Sequence, residues 1–315
     1  MDNITDMTTI TTNADLAGDT EYLKMIKRVQ ELEEKRNKQS PFSSYIQLLN
    51  DESAGLVGMI LEKPVAAMIF LLLACYMDNK NECRCLQEVF MEVFKISNYT
   101  VYMAIQYLKS CNAIEIRKEG TSNIYILNPK IVWNSSWETV KFCRFKSKCG
   151  FKFSGKIVET IGEIKKTTNG RNHYIQISKK EILKIILLIR IYPKSTAILV
   201  TLAMNADKYN NAKCTIENLR KVFQCNFSTI CRNLKYLMNS NAIQKTKEGV
   251  SNVYILNPLV FWTSWSINNS KCDFQNHSGI LIPNEAETTM ERIKLLKKTD
   301  GGVALKKWTK ATKKP

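Results

Sequence analysis

Residues Thr215–Pro258 read TIENLRKVFQCNFSTICRNLKYLMNSNAIQKTKEGVSNVYILNP, and three patterns within them decide the fold. Ile216, Leu219, Val222 and Phe223 share one face of a short helix, with Thr215 placed to cap it. After the break Gln224-Cys225-Asn226-Phe227, a second helix starting at Ser228 carries Ile230, Leu234 and Leu237 at i, i+4 and i+7. Asn239-Ser240-Asn241 ends it. Ala242–Lys247 and Val250–Leu256 then flank the Glu248-Gly249 turn, Val253 and Ile255 alternating against Tyr254. Two short helices joined by such a break and backed by a hairpin form a winged helix-turn-helix.

Upstream, Tyr174–Tyr192 carries Ile182, Ile185, Ile186 and Ile189 at helical spacing until Pro193 interrupts it. A second apolar helix is expected from Ser195 to about Ala206, followed by the polar loop Asp207–Asn211.

The ending Tyr254-Ile255-Leu256-Asn257-Pro258 also occurs as Tyr125-Ile126-Leu127-Asn128-Pro129. The offset that carries Tyr125 onto Tyr254, held without gaps, places Tyr45-Ile46-Gln47 on Tyr174-Ile175-Gln176, Pro64 on Pro193, Cys85 on Cys214 and Asn112-Ala113-Ile114 on Asn241-Ala242-Ile243. About 32 of 89 aligned positions are identical, which indicates duplication of a whole domain rather than a short solenoid repeat. The expected fold is α+β, mainly helical, with two tandem winged helix-turn-helix domains related by an internal repeat. Its parts are an N-terminal tail with an amphipathic helix (1–44), a first domain (45–151), a linker (152–173), a second domain (174–280) and a basic C-terminal tail (281–315).

Within residues 170–262, Tyr174-Ile175-Gln176-Ile177, the Asn-rich loop, Thr215–Leu219, Ser228-Thr229-Ile230 and above all the strand Val253–Pro258 resemble the RepL-type plasmid replication proteins. The first copy carries the resemblance more weakly. It implies a winged-helix fold and initiation of plasmid replication at an origin. Most such proteins have one domain of this kind, so the tandem arrangement is a departure and is similar instead to plasmid initiators built from two winged helices.

The net charge of the whole chain is +17, and its distribution says more than its total. Residues 1–44 carry −2, the first copy +2, the linker +3, the second copy +9 and residues 281–315 +5. Arg220, Lys221, Arg232 and Lys235 of the second copy align with Met91, Glu92, Met103 and Gln106 of the first. The second copy is therefore the expected reader of double-stranded DNA. Ser228 and Thr229 stand at a helix N-terminus suited to a phosphate. Arg232, with Asn226 or Asn233, is placed for base edges, since Arg matches guanine and Asn adenine. Lys235, Lys221, Lys245 and Lys247 suit the backbone, and Arg220 belongs to the same DNA-binding cluster. A transcriptional regulator on the same fold is the alternative, because a winged helix does not specify what is recruited to the DNA.

Other features speak against chemistry. The only two histidines, His173 and His277, are far apart, and neither a phosphate-binding loop nor paired zinc ligands occur. No enzyme, cofactor or metal is expected. The basic and aromatic residues that alternate from Lys141 to Phe153 read as an amphipathic strand pair. Glu21–Lys38 reads as an amphipathic helix for the first domain or for a second chain, so a homodimer is a further expected partner, and host replication proteins are those the initiator reading implies. The apolar run Val65–Met77 is too short for a bilayer, and the start at Met1 has no signal-peptide pattern, which leads to the expectation of a cytoplasmic protein without membrane contact.

Overall fold

The computed structural model describes residues 45–50, 52–120, 122–134, 143–147, 149–152, 174–249, 251–263, 274–275, 278–282, 289–290, 296–299 and 302–305. The amphipathic helix expected at 21–38, most of the linker and the basic residues after 305 lie outside them. The chain runs β1 (Tyr45–Leu49), α1 (Ser53–Glu62), α2 (Pro64–Tyr76), β2 (Glu82–Cys85), α3 (Gln87–Phe94), α4 (Asn98–Ser110), β3 (Ile114–Glu119), β4 (Ser122–Leu127) and β5 (Val132–Trp133). It continues with β6 (Tyr174–Ser178), α5 (Lys179–Ile191), α6 (Pro193–Met204), β7 (Asn211–Lys213), α7 (Ile216–Phe223), α8 (Phe227–Asn239), β8 (Ile243–Glu248), β9 (Ser251–Leu256) and β10 (Phe261–Trp262). A closing hairpin, β11 (Leu296–Thr299) and β12 (Gly302–Leu305), follows. Eight helices and three small sheets among the described residues make a mixed fold of helix and strand.

Local chemistry sets these bounds. Pro64 and Pro193 open α2 and α6, where a helix has no use for the missing N–H. The Ser97, Thr215 and Asn226 side chains accept from the N–H of Thr100, Asn218 and Thr229 and so cap α4, α7 and α8. Left-handed residues stop the helices: Lys95 and Gln224 at φ 48° and 47°, Asn112 and Asn241 at φ 60° and 59°. Gly120 and Gly249, at φ 59° and 61°, open the loops of the β3–β4 and β8–β9 hairpins.

The helix expected over Tyr174–Tyr192 begins only at Lys179, because Tyr174–Ser178 form a strand. That strand joins the two halves. In the sheet β10-β6-β1-β5, β1 and β6 run antiparallel with Gln47 opposite Gln176, the residue onto which the sequence alignment carries it. Trp133 on β5 pairs with Gln47 as Trp262 on β10 pairs with Gln176, so a local twofold axis passes between the two glutamines. The helices obey the same axis: α1 packs on α6, and α2 on α5. Ile182, Ile185, Ile186, Leu187, Leu188 and Ile189 of α5 are all buried, while Lys180 and Arg190 stay exposed. One hydrophobic core therefore runs through both halves.

Each half adds its own sheet, β11-β12-β2-β4-β3 in the first and β7-β9-β8 in the second. All strand pairs are antiparallel except β12 with β2. Residues 281–315, read as a tail, thus contribute a hairpin to the sheet of the first half.

No strand forms among the described residues of 141–153, where a strand pair was expected. Several of their backbone polar groups are met by side chains instead, and the Lys152 N–H donates to the Cys111 carbonyl. Asn112 Nδ2 donates to the carbonyls of Cys149 and Gly150, and the Phe151 N–H donates to Glu52 Oε2 at 2.7 Å. Asn241 donates likewise to Ser278 and Gly279, and the Ile280 N–H donates to Glu181 Oε2 at 2.8 Å. The carboxylates lie so close to Gly150 and Gly279 that a Cβ at either position would strike them.

Candidate nucleic-acid interface

The amphipathic character of α7 and α8 fixes what they present. Leu219, Val222 and Phe223 of α7 and Ile230, Leu234 and Leu237 of α8 are buried, which turns the remaining positions outward. On α8, Ser228, Arg232 and Lys235 are exposed and Thr229 and Cys231 half-buried. Lys221 on α7 is exposed, and the Arg220 guanidinium lies 2.7 Å from Glu217 in an exposed ion pair one turn apart. Exposed pairs of this kind add little stability, so Arg220 can exchange its partner at low cost.

The two asparagines read as base contacts have internal duties. Asn226 caps α8, its Oδ1 accepting from the Thr229 N–H at 2.8 Å and the Ser228 hydroxyl at 3.0 Å. Asn233 Oδ1 accepts from the Ser195 hydroxyl of α6 at 2.6 Å, while Nδ2 donates to the Thr229 carbonyl at 2.7 Å. Both polar ends of Asn233 are thereby engaged, and it fixes α8 on α6 instead of facing outward. Arg232 remains as the exposed side chain suited to a base edge.

The β8–β9 hairpin extends the cationic surface. Lys245 and Lys247 are exposed on β8, opposite Tyr254 and Asn252. Lys213, which the sequence reading passed over, stands on neighbouring β7 with its ammonium 2.8 Å from Glu248. The Glu248 carboxylate, first by its hydrogen bond and then by its charge, raises the Lys213 pKa. Phe227 was missed as well: the first residue of α8 is 57% exposed, although the reading placed it in the break.

The corresponding surface of the first half has a different chemistry. Tyr99, Tyr102 and Met103 of α4 are 71%, 50% and 48% exposed, at the positions of Ser228, Cys231 and Arg232. Beside them Pro64, Val65, Tyr99, Met103 and Tyr107 line an apolar groove of about 480 Å³.

Among the described residues no group of three or more His, Cys, Asp or Glu is arranged to hold a metal ion, and no helix is long and apolar enough to cross a membrane. No protein-family model matches the chain, and neither a curated protein nor a solved structure matches it.

Proposed function

We propose that this chain is a sequence-specific, double-stranded-DNA-binding initiator of plasmid replication, built from two winged helices of one duplicated domain. The second unit reads DNA. The observation that carries this reading is the outward face of α8, where Ser228, Arg232 and Lys235 stand exposed beside Lys221 of α7 and Lys245 and Lys247 of the hairpin. In helix-turn-helix docking the second helix enters the major groove and the first crosses the backbone. Arg232 then meets a guanine edge, and the lysines and Arg220 meet phosphates. The order of α6, β7, α7, α8, β8 and β9, with β9 central in its sheet, supports the winged-helix assignment.

Initiation, as opposed to repression, rests on the resemblance of Val253–Pro258 and its surroundings to RepL-type proteins and on the pairing of two such units in one chain. The local twofold axis between Gln47 and Gln176 presents the two units as an inverted pair, an arrangement suited to a site with two unequal halves. No enzymatic step, cofactor or metal is assigned. Host replication proteins are the partners this role requires.

Two measurements test the proposal. A gel-shift titration on fragments tiling the gene and its flanks, at two salt concentrations, should single out one fragment by at least about a thousandfold. Arg232→Ala should lower specific affinity by about 1–3 kcal/mol and relax discrimination at one base pair. Uniform, salt-labile binding with unchanged discrimination would remove the sequence-specific reading. If the favoured fragment supports autonomous replication of a plasmid only with the gene intact, the initiator role stands; loss of repression alone would make the protein a regulator.

A further inference from the structure

Phe227 opens α8 with its ring in water, and nothing in the packing of the helix asks for a ring there. Helices α4 and α8 each have 13 residues and are capped in the same way, Ser97 accepting from the Thr100 N–H and Asn226 from the Thr229 N–H. The first helical residue is Asn98 in one and Phe227 in the other, and both are exposed. Since an asparagine starts the corresponding helix behind the same kind of cap, the fold does not require a phenyl group at this point. The core does not take it either: Cys225 packs against the core and Ile230 lies within it, whereas Phe227 is 57% exposed. A bare phenyl ring is unfavourable in water, so it gains from any apolar surface that covers it.

The neighbours of Phe227 indicate which surface that is. Ser228 and Arg232 are exposed on the same helix, and Lys221 on α7. In a helix-turn-helix the N-terminal residues of the second helix contact base edges in the major groove. The apolar group presented there is the 5-methyl of thymine, and phenylalanine is among the side chains that contact it. Arg232 follows five residues later, about 7.5 Å along the helix axis, a length of about two base-pair steps.

We infer that Phe227 is a specificity-determining residue whose ring packs on the 5-methyl group of a thymine, about two base pairs from the guanine that Arg232 meets. This inference rests on the DNA-binding reading and deepens it. The second unit reads two bases from one helix, one through hydrogen bonds and one through a methyl group. The first unit, with Asn98 and Met103 at these positions, has neither means.

The test uses the full chain and a short duplex cut from the fragment it prefers. Each thymine of the protected stretch is replaced singly by deoxyuridine, which removes the methyl group and leaves base pairing intact. One replacement should lower the affinity of the parent about fourfold, as expected for one buried methyl group. That thymine should lie about two base pairs from the base pair whose discrimination Arg232→Ala relaxes. Phe227→Ala should bind the thymine and deoxyuridine duplexes equally, while keeping the parent's discrimination at the guanine and its urea midpoint. Phe227→Leu, which retains an apolar side chain, should keep part of the methyl preference. A parent indifferent to every replacement, or a Phe227→Ala variant with the same fourfold loss, would overturn the inference and leave DNA binding standing. Equal weakening of Phe227→Ala on the preferred and an unrelated duplex would also overturn it, because the ring would then serve the fold and not the base. If Phe227→Ala fails to fold, Phe227→Asn, which copies the start of α4, takes its place. A parent protein that prefers no fragment overturns the DNA reading, and this inference with it.

Discussion

Helices α4 and α8 hold corresponding positions in the two halves, their bounds related by the same offset as the repeat, yet they present different chemistry. Their buried sides are alike: Val101, Ile105 and Leu108 of α4 answer Ile230, Leu234 and Leu237 of α8. Their outer sides are Tyr99, Tyr102, Met103 and Gln106 against Ser228, Cys231, Arg232 and Lys235. A helix keeps its place through the residues it buries, so the exposed ones are free to diverge. The pair shows packing and surface chemistry carried by separate sets of residues on one element.

If the interiors are equivalent, they must fail equally. Trp133 and Trp262 are both almost fully buried, each beside its glutamine at the twofold axis. Trp133→Ala and Trp262→Ala should each cost about 3–5 kcal/mol, measured as a shift in urea midpoint. A difference of more than about 1.4 kcal/mol, tenfold in the equilibrium constant, would break the equivalence of the two cores.

A smaller effect is expected at the loop clasps. A methyl group at Gly150 or Gly279 displaces the Glu52 or Glu181 carboxylate and weakens its bond to the Phe151 or Ile280 N–H. Gly150→Ala and Gly279→Ala should each destabilise by about 1–3 kcal/mol. Stability left unchanged by either would mean that the loop moves without loss and that the clasp does not hold it.

The features legible in the sequence are those that depend on neighbours along the chain. The cap at Thr215, the buried stripes of α7 and α8 and the hairpin turn at Gly249 all follow from local spacing. Strand β6 reads as part of a helix because so short a segment carries too little periodicity to separate it, and its partner β1 lies far away in the sequence. The parallel pairing of β12 with β2 joins the end of the described chain to the middle of the first copy, and nothing in either strand names the other. At the candidate interface, the exposure of the cationic side chains was legible because charge seldom stays buried. The engagement of Asn233 was not, because its partner, the Ser195 hydroxyl, belongs to a different helix.

The contrast between α4 and α8 can be sharpened by transplanting the face. Met103→Arg combined with Gln106→Lys gives α4 the two cations of α8 without touching its buried side. The double variant should bind DNA more tightly at low salt, with a salt slope steeper by about two, because each added phosphate contact releases about one counterion. Stability should stay within about 0.5 kcal/mol of the parent, as for exposed substitutions in general. An unchanged slope would mean that α4 does not face DNA.

A further expected effect concerns alkaline pH. Tyr125 of β4 and Tyr254 of β9 are fully buried, and burial pushes both phenols up to about 12. The unfolded chain releases these protons near pH 10 while the folded chain retains them. The stability these two tyrosines contribute is therefore complete below pH 10 and falls as pH rises through about 12. Tyr174 and Cys214, also pushed up to about 12, add to the fall. Phenylalanine cannot titrate, so Tyr125→Phe and Tyr254→Phe should each remove a similar part of the decline, followed as the urea midpoint from pH 9 to 12. A decline flattened by one variant alone would show that the two hairpins bury their tyrosines differently, and would confine the likeness of the halves to their backbones.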